Sequence, residues 1–322
     1  MKLFPLHIIP NNTSFDFMRH RKPVLAFMGL LLVLSIGVIA FKGFNYALEF
    51  TGGTVVELRF DKPVDTDQIR AKLATAGFEN AQVQSFSGGG NDLQVRLQPR
   101  GESDNNTGNN GIGQQVARAV GTADNTATVL RTEFIGPQVG KDLALNGLYA
   151  TIFMLAGFLI YIGFRFEWKF AIVASLTAFF DLVLTIAYVS LLGREFDLTV
   201  LAGLLSVMGF AINDIIVVFD RVRENFRSMR ADHLEVLNRS INQTLSRTII
   251  TAVMFFLSAL ALYLYGGTSM EGLAETHMIG AVIVVVSSVI VAVPMLSIGW
   301  FNVTKQDLMP KTKDVEALAR RP

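Results

Sequence analysis

Six apolar runs of about 20 residues, the length that crosses a bilayer, pattern the chain: 24–41, 145–163, 170–192, 198–219, 248–265 and 278–301. Their length and near-absence of charge predict transmembrane helices. Between the first two runs the pattern shortens and alternates. Thr54-Val55-Val56-Glu57-Leu58-Arg59-Phe60 reads as a strand that Asp61-Lys62-Pro63 ends. Val64–Ala76 has helical spacing, opened by Asp65 or Thr66 and closed by Gly77. Ala81–Phe86 and Leu93–Leu97 form a hairpin around Ser87-Gly88-Gly89-Gly90-Asn91. The Gly/Asn-rich stretch Pro99–Gly113 reads as a loop, Gln114–Val120 as a short helix, and Thr126–Phe134 as a last strand. The expected fold is a polytopic α-helical membrane protein of six transmembrane helices. A small α+β domain, with helices on one face of an antiparallel sheet, lies between helices 1 and 2.

Composition agrees: 51% of the 322 residues are hydrophobic and 17% charged, against about 25% charged in a soluble domain. A soluble enzyme is excluded. Net charge is +1, from 28 basic and 27 acidic residues, so no basic excess points to nucleic acid. With no cysteine, disulfides, thiolate metal sites and cysteine nucleophiles are excluded, and the outer domain stands on its own core.

Charge also assigns sides. The N-terminal flank, the 164–169 turn, the 220–247 segment and the tail carry 17 Lys and Arg, against one, Arg194, in the two short loops opposite. The positive-inside rule makes the first set cytoplasmic and puts the large 42–144 segment, periplasmic in a bacterial cell envelope, on the opposite side, its own charges being irrelevant in so long a loop. The order is then a cytoplasmic segment 1–23, TM1 24–41, the periplasmic domain 42–144, the TM2–TM6 bundle 145–301 with a cytoplasmic linker 220–247, and a cytoplasmic tail 302–322. Ile39-Ala40-Phe41-Lys42 offers no small-x-small cleavage site, which predicts an uncleaved anchor.

Ionisable residues inside a span are costly, so each is a functional candidate. Asp181 lies near the middle of the third span and Asp214 in the fourth, while Arg247 opens the fifth. Asp214 is five residues before Phe219, about 7–8 Å below the cytoplasmic edge. Arg247 starts from that edge and can reach inward to pair with it if spans four and five are neighbours, or extend to the headgroups instead. Asp181 has no equally evident partner in this chain, which points to another chain or to a protonated carboxyl. Asp220, Arg221, Arg223 and Glu224 read as a solvated cap. Ala202, Gly203, Gly209 and Ala211 permit close helix contact, and Ser287, Ser288 and Pro294 mark a kink or a polar groove. His7, His20, His233 and His277 have no ligand spacing, so no metal is expected. No phosphate loop with a lysine is present, and no nucleophile–base constellation, so neither a cofactor nor an enzymatic reaction is expected. Asn105-Asn106-Thr107 matches the glycosylation triplet by chance.

Several segments, in order, resemble the SecD/SecF family of the bacterial Sec export machinery, within the RND superfamily, and in particular its six-span SecF members. They are Phe50-Thr51-Gly52-Gly53-Thr54, the run Arg131–Gly140 with Gly136 and Pro137, Phe164-Arg165-Phe166-Glu167-Trp168, Ile212-Asn213-Asp214 with Val217–Asn225, and Ser246-Arg247-Thr248. The resemblance spans about 45–305. It implies a translocase subunit that uses the proton-motive force to help preproteins across the cytoplasmic membrane, in a complex with SecD and SecYEG and with YajC. It also implies proton-coupling roles for Asp214, Arg247 and Asp181, and motif roles for Gly52, Gly53, Gly136, Pro137 and Asn213. Two positions depart from the family pattern. Phe180 stands where His usually precedes the third-span Asp, and Gly272-Leu273 replaces Gly-Phe after the fifth span. The competing expectations are an RND-type solute or lipid exporter, which generally has twelve spans and two outer domains, and a non-transporting scaffold.

Overall fold

The computed structural model describes residues 14–78, 81–85, 90–97, 109–122, 124–304 and 307. Most of the hairpin turn, the glycosylation-like triplet and the basic tail lie outside the described residues. The elements in order are α1 (Arg21–Lys42), β1 (Asn45–Tyr46), α2 (Leu48–Thr51), β2 (Gly53–Phe60), α3 (Thr66–Thr75), β3 (Gln82–Ser85), β4 (Asp92–Leu97), α4 (Asn109–Val120) and β5 (Ala127–Ile135). Then follow α5 (Pro137–Arg165), α6 (Trp168–Leu192), β6 (Glu195–Phe196), α7 (Leu198–Ser228), α8 (His233–Tyr265), α9 (Glu271–Ser287), a π-helical segment (Ser288–Ala292) and α10 (Val293–Met295). The chain divides into two compact units, Tyr46–Tyr149 and the remainder.

In the first unit a four-stranded sheet has the order β3-β4-β2-β5, with every pair antiparallel. The alternation legible in the sequence fills one face: Val56, Leu58 and Phe60 of β2 and Leu93, Val95 and Leu97 of β4 point inward. Ile69 and Leu73 of α3, with Ile112, Val116 and Val120 of α4, cover them at helical spacing. Leu130 is passed over in the β2–β5 register, which runs from Glu57↔Arg131 to Leu58↔Val129, so a one-residue bulge bends that edge strand. Asp65 caps α3 by accepting from Asp67 N–H at 3.0 Å. One expectation is corrected: α4 begins at Asn109, so the end of the stretch read as a loop to Gly113 is helical. Ile112 and Val116 lock it against the sheet, and that burial outweighs the poor helix propensity of Asn and Gly.

The paired glycines sit where β2 begins. Gly52 and Gly53 have φ of 69° and 128°, and a Cβ on Gly53 would run into the carbonyl oxygen of Leu97. Gly140, in the first turn of α5, lies so close that a Cβ there would be 3.0 Å from Gly52 N and 3.1 Å from Phe50 O. Gly136 and Pro137 turn the chain from β5 into α5. These residues build a close backbone contact between a strand start and a helix start.

The second unit holds the membrane helices, α5 from Ala150 onward. Among the described residues six helices have the length and composition to cross a bilayer: Arg21–Lys42, Gln138–Arg165, Trp168–Leu192, Leu198–Ser228, His233–Tyr265 and Glu271–Met295. Several exceed the apolar runs. The segment 220–247, read as a linker, is mostly helical, because α7 runs on to Ser228 and α8 starts at His233 behind an Asp232 cap. Asn225 ties the two extensions together, donating to Ser240 Oγ at 2.9 Å and Gln243 Oε1 at 2.8 Å. α9 is the hub, packed on α6, α7 and α8. Phe170 and Phe219 meet edge-on at 5.1 Å in the core near the basic end. Most of the α6 span is buried inside the protein (67%), whereas almost none of the α5 span is (6%).

Candidate intramembrane carboxyl site

Asp181 and Asp214 come from adjacent helices, α6 and α7, and both are buried, at 0% and 4% exposure. The helix period turns Asp181 inward with Ala174, Thr177, Ala178 and Thr185. Phe180, one position back, faces α1 in a cluster with Met28 and Val291. The residue standing where the family has His therefore points away from the carboxyl. Thr177 and Thr185, one turn either side, donate to their own helix at Val173 O (2.9 Å) and Asp181 O (2.7 Å).

The other wall is the π segment and the residue before it. Ser287 faces Asp181, and Ser288 faces Asp214 together with Thr248 of α8. Both serine hydroxyls donate instead to their own helix, Ser287 to Val284 O and Ser288 to Val285 O, each at 3.1 Å. As a result both Asp181 oxygens, Asp214 Oδ2 and Thr248 Oγ1 are buried without a hydrogen-bond partner among the described residues. Native interiors rarely leave such atoms unpaired. The five side chains form a polar centre with unused bonding capacity, inside a shell of apolar helix packing.

One expectation changes and a second is refined. Asp214 and Arg247 were expected to pair if α7 and α8 are neighbours. The helices do pack together, but no ion pair within 4.0 Å joins the two among the described residues. Arg247 is exposed while Thr248 is buried, because successive helical residues diverge by about 100°. Arg247 acts on Asp214 across a gap. Asp181 was expected to lack an evident partner in this chain, and neither of its oxygens is hydrogen-bonded among the described residues, although Ser287 faces it and Asp214 lies within electrostatic range. That proximity joins residues 33 positions apart and is set by helix packing, which spacing along one chain does not encode.

Further polar contacts had little sequence signal. His277 was read as outside the spans or at their edge, but α9 begins at Glu271 and includes it. Its Nδ1 lies 2.7 Å from Leu273 O and its Nε2 2.8 Å from Ser206 Oγ on α7. Val207, Ala211 and Val284 form an apolar layer between that contact and the carboxyls. On the outward side of α7, Ser206, Asn213 and Asp220 recur every seven residues, all exposed. Asn213 makes no side-chain hydrogen bond within the described residues, an unusual state for an amide in mid-span. A signal for this stripe was present in the sequence, since the repeat of seven keeps residues on one helix face.

Together these features define an integral membrane protein with a carboxyl centre inside a helix bundle and a small α+β domain in its first loop. The chain matches the family described as protein export membrane protein SecD/SecF, C-terminal, over residues 115–300, and the SecD/SecF GG motif over residues 37–64. It is 42% identical over 280 residues to the protein translocase subunit SecF of Escherichia coli O157:H7, covering 86% of this chain and 85% of that protein. To the SecF of Pseudomonas aeruginosa it is 41% identical over 300 residues, covering 92% of this chain and 94% of that one. The crystal structure of SecDF from Thermus thermophilus, a translocon-associated membrane protein, superposes with a TM-score of 0.80 at 34% identity. That match covers 92% of this chain, and this chain spans 40% of that one. The chain belongs to the SecD/SecF family, among the SecF subunits of the protein translocase.

Proposed function

We propose that the chain is the SecF half of a complex with SecD that uses the proton-motive force to help preproteins across the inner membrane. Asp214 and Asp181 take up and release the coupling proton, Arg247 biases Asp214 through its field, and the hydroxyls of Ser287, Ser288 and Thr248 solvate the carboxyls in turn. The observation that carries this reading is the pair of carboxyls held among unused hydrogen-bonding atoms at a π segment. Each proton that arrives or leaves changes which of those atoms can bond, and so which packing of α6, α7 and the π segment is preferred.

The subunit is a coupling element rather than an enzyme. Both termini are cytoplasmic, which the count of 17 basic residues against one supports. The partners are SecD, SecYEG and YajC, and the cargo is an unfolded preprotein gripped by the periplasmic domain. Cooperation with SecD is supported by exposed Asn213 on α7, a mid-span amide with no side-chain hydrogen bond among the described residues, which a polar partner surface inside the membrane would satisfy.

The test is maturation of a secreted preprotein in cells whose only copy carries Asp214→Asn, with abundance and SecD co-purification checked in parallel. Export falls about 5- to 150-fold, the range of a coupling free energy of about 1–3 kcal/mol, and proton flux through vesicles holding the complex falls with it. Normal export with an intact complex refutes the coupling role and leaves the scaffold reading.

A further inference from the structure

A cavity of about 550 Å³ opens sideways from the bundle between α1, α6 and the segment that ends the last span. Leu25, Met28 and Gly29 of α1, Phe180 of α6, Val291 of the π segment and Phe301 are among its walls. Every lining residue is apolar or glycine. From Leu25 to Leu32 it follows α1 for about 10 Å, most of one leaflet of a hydrocarbon core about 30 Å thick.

One end of the cavity meets the polar boundary of the membrane. Lys22 lies one turn before Ala26, a lining residue, on the same face of α1; it is exposed and has no ion pair among the described residues. Arg19 and Arg21 flank it, and Arg21 Nε is buried without a hydrogen-bond partner. The nearest carboxylate in sequence, Asp16, is used by the backbone N–H of Arg19 at 3.1 Å. The chain's only two tryptophans, Trp168 at the start of α6 and Trp300 beside Phe301, are also at this end, 55% and 86% exposed. Tryptophan favours the headgroup layer.

We propose that this cavity is a binding site for one anionic glycerophospholipid, its acyl chain in the groove and its phosphate at Lys22 and Arg19. Charge selects the occupant. A partner helix would need an apolar or small-residue face alone, whereas a groove with a cationic mouth fits a chain attached to an anion. The floor of the groove gives the site a consequence. Phe180 precedes Asp181, and Val291 belongs to the π segment whose first residue, Ser288, faces Asp214. An acyl chain there props α1 away from the segment that lines the carboxyl centre. This consequence for transport rests on the proton-coupling reading above; the binding does not.

The test uses the SecD–SecF complex in nanodiscs of equimolar phosphatidylglycerol and phosphatidylethanolamine, with retained lipid read by native mass spectrometry. A Cβ on Gly29 meets nothing within 4 Å, so the side chain of Gly29→Leu starts into the open space of the groove. It lowers retained lipid about tenfold, the loss expected when roughly two methylenes can no longer be buried. Lys22→Gln leaves a lipid bound but removes the preference for phosphatidylglycerol. Equal retention by wild type and Gly29→Leu overturns the site, as does a partner helix cross-linked into the groove. An unchanged lipid preference in Lys22→Gln overturns the anionic headgroup. Asp214→Asn keeps its lipid whatever it does to export, so failure of the coupling reading and failure of the lipid site are separable.

Discussion

Thr248 and Arg247 are consecutive, and the helix turns one toward Asp214 and the other out of the bundle. A cation acting through its field does not need the planar fork of a guanidinium, whereas a buried hydroxyl that faces the carboxyl with its bonding capacity unused cannot be replaced by a methyl. Arg247→Lys should therefore keep most export, while Thr248→Val lowers it several-fold, both read by preprotein maturation with the complex intact. A direct salt bridge would give the reverse order. Gly53 makes a different demand. Alanine there meets a φ of 128° and the Leu97 carbonyl, and strained backbone of this kind costs about 1–3 kcal/mol before any clash. Gly53→Ala should loosen the α+β domain, seen as faster limited proteolysis within residues 46–149 of the full-length protein. The glycine pair was legible as a motif, but its steric reason required the position of β4.

The last span shows what an element adds to its residues. Five residues of π-helix, Ser288–Ala292, precede Pro294, which has no N–H to continue a regular ladder. The wider turn re-aims Ser287 and Ser288 relative to a continuous α-helix. Pro294→Ala gives the ladder back its donor and favours the continuous form. It should leave abundance unchanged or raise thermal stability, and lower export, read as Tm of the purified complex beside preprotein maturation. Unchanged export would make the π segment a packing feature only. Ser287, Ser288 and Pro294 could be singled out in the sequence, whereas the π turn could not, because apolar runs report length and not hydrogen-bond register. The extensions of α7 and α8 were missed for a related reason. Their polar residues resemble a loop until Asn225, Ser240 and Gln243 are seen bonded across the pair.

For the molecule as a whole, the exposed stripe on α7 predicts where the complex closes. Cysteine at Ser206 or Asn213 should cross-link to SecD, and cysteine at Phe153, on the exposed side of α5, should not. A second prediction separates the α+β domain from the proton chemistry. The Thr126 hydroxyl and N–H beside Asp61, and the Arg59 guanidinium beside Asp92, hold both carboxyls below the usual range. Their stabilisation is complete above the unfolded value of about 3.9 and is lost as pH falls through the lower folded values. Hydrogen exchange in β2 and β5, corrected for intrinsic rate, should be flat from about pH 5 to 8 and rise only below about 4. A change near neutral pH would place a titrating group in that domain. What the sequence determined by itself was most of the local pattern: six spans from apolar length, the main strands and helices of the α+β domain from their periods, and the candidate charges from their cost in lipid. Tertiary structure alone decided that Asp181 and Asp214 share one centre, that Thr248 rather than Arg247 faces it, and that Phe180 turns to α1. Periodicity places a residue on a face of its own helix, but only packing chooses which neighbour that face meets.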